Sequence, residues 1–258
     1  MPRYRIEFRS YNIGADGLPV PGLGMGAAHN FIVLVEVVPG GAKPRVVEEL
    51  HADSADENGK PISFDATGRG YLKYSLKPSA DGRGTHLYQD SERHPKFVLF
   101  EGTWAEAEER MKAARETGDW INGKKFRYNP LGTNSNSAAY TMARAMGFDV
   151  TGQPIDGKTG RSLPAPGAGI DLTKGHAEAP AKRFGEPQRT FGYGDADKPG
   201  ERPIPPEREA PPYDGPEPPR RSAAPASAAP ASYRLGFENA RRFADEHRFD
   251  PRGMSAPS

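Results

Sequence analysis

The chain has no cysteine. That excludes disulfides, thiolate metal sites and a cysteine nucleophile, and leaves any redox compartment open, export included. Neither sign of charge is in excess. Lys and Arg number 35 against 34 Asp and Glu, interleaved, for a net charge of +1. No basic face suited to a phosphate backbone arises from that balance, so no nucleic-acid partner is expected. Long apolar runs are missing as well. None approaches the roughly 20 residues that span a bilayer. The opening MPRYRIEFRS has no apolar core of signal-peptide length. The expectation is a chain synthesised in the cytoplasm, with no membrane span, whose export would need a dedicated secretion system.

Apolar residues are scarce overall, at 35 % with a mean hydropathy of −0.75. Glycines number 30 and prolines 27, and more than half of the prolines come after Gly175. This predicts one domain over residues 1–173 and a Pro/Ala/Ser-rich tail over 174–258. A domain of roughly 170 residues still buries a good core. The tail has too little apolar surface to offset its ordering entropy and is expected to be disordered. Within it, SYRLGFENARRFADEH at 232–247 reads as a short helix that Ser232 caps. Leu235, Phe237, Ala240, Phe243 and Ala244 give it a patchy apolar side, which suits either docking to a protein partner or a transient helix without a role.

In the domain, Tyr4, Ile6 and Phe8 alternate with charged residues, the period of a half-buried strand. The next loop carries Gly22, Gly24 and Gly26, but it precedes a strand, the reverse of a dinucleotide-binding order. HNFIVLVEVV at 29–38 is β-branched and apolar on both faces, as in a central strand. His29 starts it, on the same face as Phe31, Val33 and Val35. RVVEELH at 45–51 reads as its partner and ends in His51, with Glu49 on the same face. Residues 70–76, 85–89 and 96–101 read as further strands. A helix then runs from about 104 to 117, with Thr103 as cap, Glu106 closing a capping box and Gly118 as stop. Trp120 to Asn122 reads as a link. DGKTG at 156–160 lacks both the spacing and the preceding strand of a phosphate loop.

A second helix opens at TNSNSAAYTMARAMG. Asn134 suits the N-cap and Gly147 the C′ position, with Ala138, Ala139, Met142, Ala145 and Met146 as the apolar stripe. Ser135 then stands in the first turn, where unpaired amides and the helix dipole favour negative charge. A serine hydroxyl needs a base, and the base an orienting partner. His29 is the natural base, with His51 or Glu49 to accept its second N–H. Asn134, Asn136 or Tyr128 would hold an oxyanion or substrate carbonyl. Zinc on His29, His51 and Glu49 is the weaker alternative, since no helical HExxH supports it. No metal or other cofactor is expected.

The order of strand histidine, next-strand histidine and an Asn-nucleophile-Asn helix start resembles the circularly permuted papain-like hydrolases, such as the lecithin:retinol acyltransferase-like and desumoylating-isopeptidase-like proteins. The resemblance spans about residues 28–147. It implies an α+β fold, a small mostly antiparallel sheet packed on two or three helices. It also implies a hydrolase or acyltransferase acting on an amide or ester of a peptide-like or acyl substrate. The family's nucleophile maps to Ser135, its base to His29 and its second histidine to His51. Where the family uses a cysteine thiolate, this chain has serine. It is then either a serine-dependent enzyme or a non-catalytic peptide-binding or adaptor module that keeps the fold without the chemistry.

Overall fold

The computed structural model describes residues 3–13, 27–38, 44–62, 70–79, 95–154 and 162–190. Strands β1 (Arg3–Ile13), β2 (Ala27–Val37), β3 (Arg45–Ala55), β4 (Tyr71–Pro78) and β5 (Lys96–Gly102) form one antiparallel sheet in the order β4-β3-β2-β1-β5. Helices α1 (Trp104–Lys124) and α2 (Ser135–Ala145) pack on one face of it. A short parallel pair, β6 (Phe148–Val150) with β7 (Gln188–Thr190), lies apart. The class is α+β with a small antiparallel sheet, as expected.

Alternation decides which side chains meet the helices. Tyr4, Ile6 and Phe8 of β1, Ile32 and Leu34 of β2 and Leu50 of β3 pack with Met111 of α1 and Met142 of α2 in the main core. The residues between them point the other way. There Phe31, Val33 and Val35 join Val46 in a separate apolar cluster. Glu7 and Arg9 share this outer face and are also buried, so β1 is not the half-exposed strand that its alternation predicts. They tolerate burial as a pair, with Arg9 Nε and Nη2 at 2.8 and 2.7 Å from Glu7 Oε2.

The capping box of α1 forms as its sequence predicts, but Gly118 does not end the helix. A Cβ at Gly118 would lie 2.5 Å from Cγ of Tyr74, so glycine is there to let the Tyr74 ring approach. The helix runs on to Lys124, and the Trp120–Asn122 link is its last turn. Asn122 then acts as a strand. Its Oδ1 accepts from the Tyr74 N–H at 2.7 Å and its Nδ2 donates to the Tyr74 carbonyl at 3.0 Å, closing the outer edge of β4 there.

Ordered structure continues past residue 173, where the sequence places the domain boundary. His176 packs edge-on against the rings of Trp120 and Phe126, and Arg183 pairs with Glu116. Phe184 helps to cage Arg110. That guanidinium lies 4.4, 4.8 and 5.1 Å from the ring centroids of Phe184, Phe100 and Phe148, and its Nη1 donates to the Met146 carbonyl at 2.6 Å. A few aromatic contacts order a segment whose average composition is polar. The strand at 85–89, His86, His94, the glycines at 22, 24 and 26, DGKTG, His247 and the helix at 232–247 lie outside the described residues. Among the described residues, no helix is long and apolar enough to cross a membrane.

Arg110 ties α1 to the end of α2 through a cation held by three rings. Arg110→Ala is expected to cost about 2 kcal/mol in urea unfolding. Arg3→Ala, whose side chain is 65 % exposed in its ion pair, should cost under about 0.5 kcal/mol.

Candidate functional site

The site begins where the sheet comes apart. β2 and β3 pair from Glu36↔Arg45 to Ile32↔Leu50 and no further, although both strands continue. β3 stays paired to β4 as far as Ala55↔Tyr71, while β2 stays paired to β1 as far as Ala27. The first turn of α2 takes the place that β3 leaves beside β2. Asn136 Oδ1 accepts from the Asn30 N–H at 2.9 Å, and its Nδ2 donates to the carbonyls of Ala28 and Pro166, both at 3.0 Å. Pro164 completes the substitute edge by accepting from the Ala28 N–H at 2.8 Å.

Asn134 is the N-cap, as its position predicts. Its Oδ1 accepts from the backbone N–H groups of Asn136 and Ser137, and its Nδ2 donates to the carbonyls of Pro130 and Pro166. Gly167, at φ +82°, passes so close that a Cβ would lie 2.3 Å from the Gly132 carbonyl oxygen. Both asparagines thus spend their amides on architecture, and each is 3 % exposed or less. Ser135, 5 % exposed, stands between them beside Tyr128. Burial, then the charge of Asp53, pushes the Tyr128 phenol up to about 12, while hydrogen bonding with the Ser135 side chain and backbone opposes that shift.

The histidines belong to the outer face. The β1–β2 register pairs His29 with Tyr11 and Phe31 with Arg9. His51 stacks on Phe31 with centroids 4.8 Å apart and on His29 at 5.9 Å. Glu49 and His51, both fully buried, are joined through Oε2 and Nε2 at 3.1 Å. Burial lowers His29 below the ordinary imidazole value against the pull of Asp53. It lowers His51 well below that value, with Lys77 and His29 adding to the effect. Both rings are therefore neutral near pH 7, and the Glu49–His51 contact is a hydrogen bond from the neutral ring rather than an ion pair.

The seven residues singled out in the sequence divide into two groups. Ser135, Asn134, Asn136 and Tyr128 meet at the start of α2, in the opening between β2 and β3. His29, His51 and Glu49 gather on the outer face of the sheet. Among the described residues, no hydrogen bond joins the Ser135 hydroxyl to His29. Asp53 bears on both groups, since its charge acts on His29 and on Tyr128. Sequence reading missed Asp53 and also Lys77, whose Nζ lies 4.0 Å from it. Had β3 been extended past His51, alternation would have placed Asp53 beside the histidines. No three ligating side chains converge into a metal site among the described residues.

Two outcomes test this geometry. In the unfolded chain each histidine regains its ordinary pKa near 6.5. As pH falls below about 6.5, that chain takes up protons which the folded one refuses, so stability declines toward acid. His51→Phe is expected to flatten the fall in melting temperature between pH 7 and pH 5. Asn136→Ala would orphan the Asn30 N–H and the Ala28 carbonyl and is expected to cost about 2–4 kcal/mol in urea unfolding.

Comparison with known protein families, with curated proteins and with solved structures finds no match to this chain.

Proposed function

We propose that the domain is a non-catalytic peptide-binding or adaptor module, a frame of permuted papain-like design that has kept its helix start and lost the acyl-transfer chemistry. One observation carries this reading. Ser135 stands beside Tyr128 at the start of α2, whereas the imidazole that would serve as its base lies among Phe31 and His51 on the outer sheet face. General-base catalysis needs hydroxyl and imidazole within hydrogen-bond reach. The filled hydrogen-bonding capacity of Asn134 and Asn136 supports the same reading, because neither amide is left to receive an oxyanion.

Recognition then falls to the surface beside the helix start. Leu131 is 65 % and Ile170 40 % exposed. A Cβ at Gly132, next to Leu131, would lie 4.0 Å from Ile170 Cδ1, so the two segments touch. Exposed apolar side chains on adjoining segments suit a short extended peptide. In this reading the segment 232–247 would bring in a second protein.

The full chain treated with a fluorophosphonate probe is expected to carry no adduct on Ser135. An adduct that Ser135→Ala removes and His29→Gln suppresses would restore a serine hydrolase. Peptides selected from a random library should bind the chain, and Leu131→Asp should weaken them by at least about tenfold.

A further inference from the structure

The outer sheet face holds an amine in unusual company, at a place independent of Ser135. In the β3–β4 register Lys77 lies directly across from Glu49. Its Nζ is 4.0 Å from Asp53 Oδ2, and only 15 % of its side chain is exposed, against 31 % for Asp53. Burial holds the ammonium below its ordinary pKa although Asp53 and Glu49 both pull it upward. Close by are the neutral rings of His51 and His29. A largely desolvated amine beside a carboxyl that still meets solvent is the pairing that carbonyl capture requires.

We propose that Lys77 captures a small uncharged aldehyde or ketone as an imine, with Asp53 moving the protons. Once the Lys77 ammonium has passed a proton to the Asp53 carboxylate beside it, the amine attacks the carbonyl carbon, forming the C–N bond while the C=O π electrons pass to oxygen. Asp53 gives that oxygen a proton and recovers one from nitrogen, leaving a carbinolamine. A second proton sends the oxygen out as water, the nitrogen lone pair closes the C=N bond, and the last N–H proton returns to the carboxylate. Amine and carbonyl thus yield imine and water, with no other reactant. An uncharged ligand fits because Asp53 and Glu49 would repel a carboxylate or phosphate.

Lys73 is the internal control. It lies on the same strand and the same face, opposite Asp53 in the register, and its Nζ donates to the Gly59 carbonyl at 2.8 Å. The full chain is incubated with propanal and cyanoborohydride at pH 7, and the propylated lysines are mapped by mass spectrometry. Lys77 is expected to react at least about tenfold faster than Lys73. Asp53→Asn should slow Lys77 at least about fivefold with an unchanged circular dichroism spectrum, and Asp53→Glu should retain most of the rate. Equal rates at the two lysines, or a Lys77 rate that Asp53→Asn does not slow, overturns the proposal. Either result leaves the peptide-binding reading untouched, since that rests on Ser135 and Leu131.

Discussion

One side-chain amide stands where a strand should be. By pairing with the Asn30 N–H and the Ala28 carbonyl, Asn136 satisfies the edge of β2 that β3 abandons, at a place where water has little access. Buried backbone groups cannot be left unpaired without cost, so this contact fixes where α2 begins relative to the sheet. The rest of the helix start is arranged around it. Asn134 and Asn136 converge on the Pro166 carbonyl, Gly167 is pressed against the cap, and Ser135 is left facing Tyr128. Asn122 repeats the device at the free edge of β4, where its amide pairs with the Tyr74 backbone in place of a neighbouring strand.

The same layout sets the electrostatics. The helices cover one face of the sheet with apolar side chains, and alternation turns His29, Glu49, His51, Asp53 and Lys77 to the other. Burial there favours neutral forms, and both histidines and Lys77 shift in the direction that sheds charge. Where charge does survive at depth it is matched, as between Arg9 and Glu7. The outer face thus holds two neutral imidazoles and an amine shifted toward its neutral form.

Much of this was legible in the residues. The caps at Thr103 and Asn134 and the positive φ at Gly147 are local chemistry, and local chemistry survives folding. The period of two in β2 correctly placed His29 with Phe31 and Val33. What it could not reveal is which face the helices would choose, because Phe31, Ile32, Val33 and Leu34 are equally apolar on both sides. The parting of β2 from β3 was hidden for a similar reason, since it depends on an asparagine more than a hundred positions away. Gly118 misled because a glycine that ends a helix and one that admits an aromatic ring look alike until Tyr74 is in place. The order beyond residue 173 was hidden because three or four ring contacts do not register in a composition dominated by proline and charge.

The proposed loss of acyl-transfer chemistry turns on His29 and Ser135 being chemically independent. Nitrogen-15 NMR of the His29 ring reports its tautomer and titration midpoint, and Ser135→Ala removes one hydroxyl while leaving the Asn134 cap in place. The ring shifts and midpoint of His29 should be the same in the two proteins. A change of tautomer, or a midpoint displaced by more than about half a unit, would mean that the hydroxyl and the imidazole share a proton, and their independence would be refuted.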